Sequence, residues 1–157
     1  MTETWSEGPE STESWGRASG PRAGFWRRLA GAIIDGVIVG VVGTILEILI
    51  KNGIGDLLSL IVSASYFTYF EGGPKGAGFG KQAMGIRVID AQTGQPIGHP
   101  RAFVRWISAI LSALIIFIGY LWMLWDREKQ CWHDKLAGDV VVPTADYPVT
   151  APSGAAY

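Results

Sequence analysis

The chain has 157 residues, room for one domain with some tail, and a formal net charge of −1. Hydrophobic residues make up 48% and charged residues 17%, against a usual quarter, a balance that leans towards the bilayer. The absence of a basic excess argues against a nucleic-acid binder. The single cysteine, Cys131, cannot form an internal disulfide, and no Cys/His cluster has zinc spacing, so neither a metal nor a cofactor is expected.

Residues 1–23 are polar and acidic, with Glu3, Glu7, Glu10 and Glu13, and lack the basic and apolar regions of a signal peptide. This composition predicts a disordered N-terminal tail in which Trp5 and Trp15 read as incidental aromatics, with a short docking motif as the alternative. The first apolar stretch, 29–50, spans roughly 33 Å as a helix, enough to cross the hydrocarbon core. On a helical wheel, Arg28, Ala32, Asp35, Gly36, Val39, Gly40, Gly43 and Glu47 share one face. Ile33, Ile34, Val37, Ile38, Val41, Ile45 and Ile48 take the other. Ala32, Gly36 and Gly40 form a small-residue series that lets another helix approach.

Asp35 is the anomaly, because a carboxylate in mid-membrane costs about 2.5–3.5 kcal/mol to insert. Three readings stay open. It pairs with a cation from another segment, or with Arg28 reaching inward. It binds or relays a cation beside a water-filled path. Or it stays neutral and bonds a hydroxyl such as Ser59 or Ser63. Glu47 reads as a wetted interfacial group, and Arg27 as a headgroup anchor.

Lys51 to Gly53 form a tight connection, so the second apolar stretch, 54–70, returns antiparallel to the first. Basic residues gather before the first span (Arg17, Arg22, Arg27, Arg28) and after the second (Lys75, Lys81, Arg87, Arg101, Arg105), which places the N-terminus and the middle segment in the cytoplasm. The glycines of GGPKGAGFGKQ imitate a phosphate loop, but Lys75 stands at the first glycine position and Gln82 where Ser or Thr is needed. They read as a flexible loop, with Lys81, Arg101 and Arg105 as cations at the membrane surface. Residues 86–89 alternate and lead into a turn at 92–94, which reads as a strand; 138–143 read as another. Pairing the two requires both on one side of the membrane. The third apolar stretch, 106–125, is therefore expected to be bent or re-entrant, broken near Gly119.

His133-Asp134 invites a catalytic or metal reading, but the other histidine, His99, is distant in sequence and no activated serine is marked. The bland alternative is a helix cap by Asp134 ended by Gly138; the functional one places His133 and Asp134 against Arg28. Residues 143–157 are expected to be a flexible tail.

With FWRRLAGAIID, GKQAMGIRVIDAQTG and DREKQCWHDKLAGDVVV in this order, the sequence resembles the RDD family of membrane proteins. The resemblance covers residues 24–142 and implies that Arg28 is the family's arginine, Asp35 its first aspartate and Asp134 its second, with Asp126 as the fallback. Asp139 departs from the threonine often found there.

The expectation is thus an all-α membrane protein: a small helical bundle of three apolar stretches with a short cytoplasmic strand-turn element, multi-pass in the cell membrane. Its partners are the lipid bilayer and either further copies of itself or other membrane proteins. The resemblance implies no firm activity beyond the family's suggested part in transport. The leading expectation is transport of an ion or small solute through a cluster of Arg28, Asp35, Asp134 and His133, with Asp126, Lys81 and Glu47 secondary. A non-transporting assembly or scaffold subunit is the alternative. No enzyme is expected.

Overall fold

A computed structural model describes residues 20–114 and 118–147. Both expected tails lie largely outside these residues. The elements in chain order are α1 (Phe25–Leu49), α2 (Ile54–Gly72), α3 (Phe79–Ala83), β1 (Ile86–Asp90), α4 (His99–Leu114), α5 (Ile118–Leu121), a 3₁₀ turn (Trp122–Leu124), α6 (Trp132–Ala137) and β2 (Asp139–Pro143).

α1 is turned inside out relative to a helix in water. Its buried stripe is Arg28, Gly31, Asp35, Val39 and Gly43, while Val37, Val41, Ile45 and Ile48 are half or more exposed. Aliphatic side chains facing outward over 25 residues need an apolar solvent, and the helix is long enough to span one. Among the described residues α1 alone is both long and apolar enough to cross a membrane. α2 has 19 residues and carries Asp56 and Glu71, and the third stretch is divided between α4 and the four-residue α5. Of the three apolar stretches expected, the second is shorter and more polar and the third is interrupted, as the sequence indicates. The first alone forms a helix of spanning length and apolarity among the described residues.

Asn52 and Gly53, both at positive φ, make the turn between α1 and α2. Close contacts then run in reverse order. A Cβ on Gly55 would lie 2.8 Å from Glu47 Cα and one on Gly43 would collide with Ser59, while Tyr66 reaches Asp35. α1 and α2 are therefore antiparallel. α4 returns along α2, with Trp106 Nε1 donating to Ser63 Oγ at 3.1 Å and Gly72 lying against His99. α5 folds back on α4 where Gly119 meets Ser112; a Cβ there would sit 2.7 Å from its hydroxyl. The bend expected near Gly119 falls partly on residues 115–117, outside the described set.

This reversal brings α6 and β2 back to β1. The strands pair antiparallel, from Ile86 opposite Pro143 to Asp90 opposite Asp139. Ile86, Val88 and Val141 pack with Ala23, Ile97 and Ala102 on one side; Ile89, Val140 and Val142 pack on the other. Such double-sided burial explains the continuous apolar run VVV. Both edges are covered: Ala23 N–H donates to Val141 at 2.9 Å and Val88 N–H to Gly76 at 2.7 Å. The strand-turn element is thus a two-stranded sheet closed by segments from before α1 and after α2.

Candidate functional site

Two polar centres lie along the buried edge of α1, about two turns apart, at Asp35 and at Arg28. The first is built on Asp35, which is fully buried. Its Oδ1 accepts from the Tyr66 hydroxyl at 2.6 Å and Gly80 N–H at 2.7 Å, and its Oδ2 accepts from Lys81 N–H at 3.3 Å. Tyr66 in turn accepts from Phe79 N–H at 3.0 Å. The free donors at the start of α3 are thereby satisfied by a carboxylate on another helix. The hydroxyl comes from Tyr66 rather than Ser59 or Ser63, and Arg28 does not reach Asp35. Asp35 instead ties α1 to α2 and α3.

The approach of α3 depends on glycine. A Cβ on Gly78 would stand 2.5 Å from Asp35 Oδ1, and one on Gly80 would strike Gly31 O and lie 2.7 Å from Asp35 N. The glycines read as a flexible loop therefore permit close packing. Gly36 and Gly40 do not serve this purpose, since a Cβ on either meets nothing within 4 Å. Within the chain, Gly31 and Gly43 take the close contacts that the sequence pattern assigned to Gly36 and Gly40. Ala32 borders a cavity instead.

The second centre is a chain of buried ion pairs. Lys81 Nζ bonds Glu71 Oε1; Arg105 Nε donates to Glu71 Oε2 at 2.8 Å; Arg105 Nη1 donates to both Asp134 Oδ1 and Asp139 Oδ1; Arg28 Nη2 donates to Asp134 Oδ2 at 2.6 Å. Arg28 Nη1 also donates to Lys129 O at 3.0 Å, with the sulfurs of Cys131 and Met123 at 3.5 and 3.6 Å. α6 positions Asp134 at its third residue, where the carboxylate accepts from Cys131 N–H at 2.9 Å, and Gly138 ends the helix at φ 68°. Asp134 thus closes a capping box and receives two guanidiniums from distant helices.

The structure brings Arg28, His133 and Asp134 together and leaves Asp35 outside the ion pairs, bonded to the backbone N–H of Lys81. Asp126 lies apart, bonded to Lys135 and to Gln130 N–H. Glu47 is exposed. Lys81 and Arg105, expected at the membrane surface, are 7% and 5% exposed and paired inside; Arg101 stays partly exposed and pairs with Asp90. Sequence reasoning passed over Glu71. The available signal was an acidic residue directly after the second apolar stretch, ahead of the basic residues Lys75, Lys81, Arg87, Arg101 and Arg105.

Burial works to raise the Asp134 carboxyl, but Arg105 and Arg28 overcome it and hold the group far below the usual carboxylate range. Asp139 moves the other way. Burial pushes it well above the ordinary value, the charge of Asp134 adds to this, and Arg105 opposes it incompletely. Its Oδ2 has no hydrogen-bond partner among the described residues. Burial lowers His133 to about 3, so its Nε2, 3.3 Å from Asp134 Oδ1, faces the carboxylate from a neutral imidazole. Cys131 is pushed up to about 12, by burial first and then by Asp134. Cys131, His133 and Asp134 offer ligand atoms within 4.8 Å of one another. Arg28 already donates to the thiol and the carboxylate, so a divalent cation there would face a guanidinium.

Above this network lies a cavity of about 610 Å³ bounded by α1, α2 and α4. Arg28, Glu71, Lys81, Arg105 and His133 form its polar end, and Phe67, Trp106 and Ile110 belong to its apolar walls.

The RDD family profile matches residues 22–138. The chain belongs to the RDD family. It is a membrane family, consistent with the outward aliphatic face of α1. A relative in Mycobacterium tuberculosis named "Proline-rich antigen homolog" is 33% identical over 96 residues, covering 57% of this chain and 40% of the relative. "Proline-rich antigen" of Mycobacterium leprae is 35% identical over 98 residues, covering 59% and 39%. The chain thus spans about two fifths of these relatives. "Uncharacterized protein YxaI" of Bacillus subtilis is 24% identical over 147 residues, covering 76% of this chain and 96% of that protein. No solved structure matches.

Proposed function

We propose that this RDD protein carries an ion or small solute across the cell membrane, using the cavity and its charged end as the binding site. The observation supporting this is a cavity of about 610 Å³ whose polar end is formed by Arg28, Glu71, Lys81 and Arg105. Buried ionisable groups inside a membrane protein are costly and mark pathways more often than scaffolding. In this reading α1 and α2 cross the bilayer, the third stretch enters and returns, and the sheet lies in the cytoplasm with the N-terminus. So small a bundle acts as an oligomer, with Gly36 and Gly40 on the outward face of α1 available to a second copy. No enzymatic step is proposed.

The test is reconstitution into vesicles with proton and alkali-cation flux followed together. Glu71→Gln should abolish flux while Glu47→Gln, on the exposed side, retains it. The rival reading is a non-transporting scaffold, favoured by the internal pairing of most of the network's charges. It predicts no flux from the wild type, with Glu71→Gln lowering only abundance and complex formation in native membrane.

A further inference from the structure

The cavity has two surfaces of different chemistry. Three cations border its polar end, Arg28, Lys81 and Arg105, but among the described residues Glu71 is the single carboxylate that does so. The other two acids of the network, Asp134 and Asp139, are wholly buried and do not line the cavity. The protein therefore places its positive groups towards the cavity and the Asp134 carboxylate behind them, with the Asp139 carboxyl beside it held towards its neutral form. Low-dielectric walls concentrate such a field.

The sides are apolar, and so is the rim. Leu29, Ile33, Ile110 and Leu121 line the cavity and are between 38% and 56% exposed. α1 and α4 each pack along α2 and barely meet one another among the described residues. In the proposed topology the opening between them faces hydrocarbon rather than water. Small side chains at Ala32, Ala109 and Ala113 provide the room.

We infer that the cavity holds one anionic phospholipid taken laterally from the bilayer, its phosphate against Arg28, Lys81 and Arg105 and the start of one acyl chain between α1 and α4. The volume falls in the range of roughly 300–1,000 Å³ usual for ligand sites. It accommodates a headgroup and part of a chain, with the remainder among bulk lipid. Charge complementarity selects the phosphate; the apolar rim selects a lipid over a soluble anion. This rests on the proposed reading of the cavity as a ligand site, and requires no flux.

The full-length protein in mild detergent, mixed with phosphatidylglycerol or phosphatidylcholine, is examined by native mass spectrometry. One phosphatidylglycerol per chain should be retained, with about tenfold preference over phosphatidylcholine, equivalent to 1.4 kcal/mol. Ala109→Phe with Ala113→Phe should fill the cavity and abolish retention; Val41→Phe, on the outer face, should not. A second measurement covers failure of the filled variant to fold. Brominated phosphatidylglycerol should quench the component of fluorescence that Trp106→Phe removes, and brominated phosphatidylcholine should not. Equal retention of both lipids, retention after filling, or a lipid-free mass of two chains would overturn the inference. Flux without lipid preference leaves transport standing and removes the lipid. Lipid preference without flux does the reverse.

Discussion

Asp134 joins two helices that sequence places far apart, and its contribution is measurable by a double-mutant cycle with Arg28. The side chains are 10% and 0% exposed and meet at 2.6 Å. Removing one partner of a buried pair costs about 3–5 kcal/mol because the other charge is left uncompensated. For Asp134→Asn, most of this loss falls on Arg28. Arg105 keeps Glu71 and Asp139, and Asp139 ionises more readily once the neighbouring negative charge is gone. Arg28→Gln removes the same uncompensated cation, so the double variant should resemble the worse single one. The expected coupling is about 2–3 kcal/mol, the upper part of the range for residues in contact. The assay is denaturant unfolding in detergent micelles, followed by tryptophan fluorescence, for wild type, Arg28→Gln, Asp134→Asn and the double variant. Additivity within about 0.5 kcal/mol would refute the pairing.

Three further outcomes are expected. Between pH 6.5 and about 3 the unfolded chain binds a proton at His133 that the folded chain refuses. Stability from this group is therefore complete above 6.5 and lost as pH falls, a total on the order of 5 kcal/mol at 1.36 kcal/mol per unit. His133→Gln should flatten that part of the stability–pH curve, and an unchanged slope would contradict the burial assigned to the imidazole. Gly80→Ala forces a Cβ onto Gly31 O and Asp35 N and should cost about 1–3 kcal/mol in unfolding experiments, whereas Gly36→Ala meets open space and should cost nothing or stabilise by up to about 1 kcal/mol. Asp35→Asn turns an acceptor facing Lys81 N–H into a donor or leaves that N–H unpaired, and should cost about 1–3 kcal/mol and speed amide exchange at Gly80 and Lys81.

Much of this arrangement was legible in the sequence where a single periodic rule applied. The wheel of α1 separates its outward aliphatic face from Arg28, Asp35, Val39 and Gly43; alternation located β1, and a short continuous apolar run located β2. The shift of the buried stripe to Gly31, away from Ala32, Gly36 and Gly40, was not legible. It depends on how α3 approaches, and no helical periodicity in α1 encodes a five-residue helix fifty positions later. Lys81 and Arg105 were misplaced for a related reason. Counting basic residues gives the side of a membrane but does not separate a headgroup anchor from a cation with a buried partner. Only the fold brings Glu71 to both.

The central claim is that the chain turns back after α4, so that β2 rejoins β1 and carries Asp134 to Arg28. Membrane-impermeant thiol labelling of intact cells tests it most directly, with cysteines placed singly at Gln92, Asp146 and Asn52, all exposed, beside the buried Cys131. The account predicts that positions 92 and 146 share one accessibility and position 52 has the opposite. Labelling of 146 together with 52, and not with 92, would separate the strands by a membrane and contradict it.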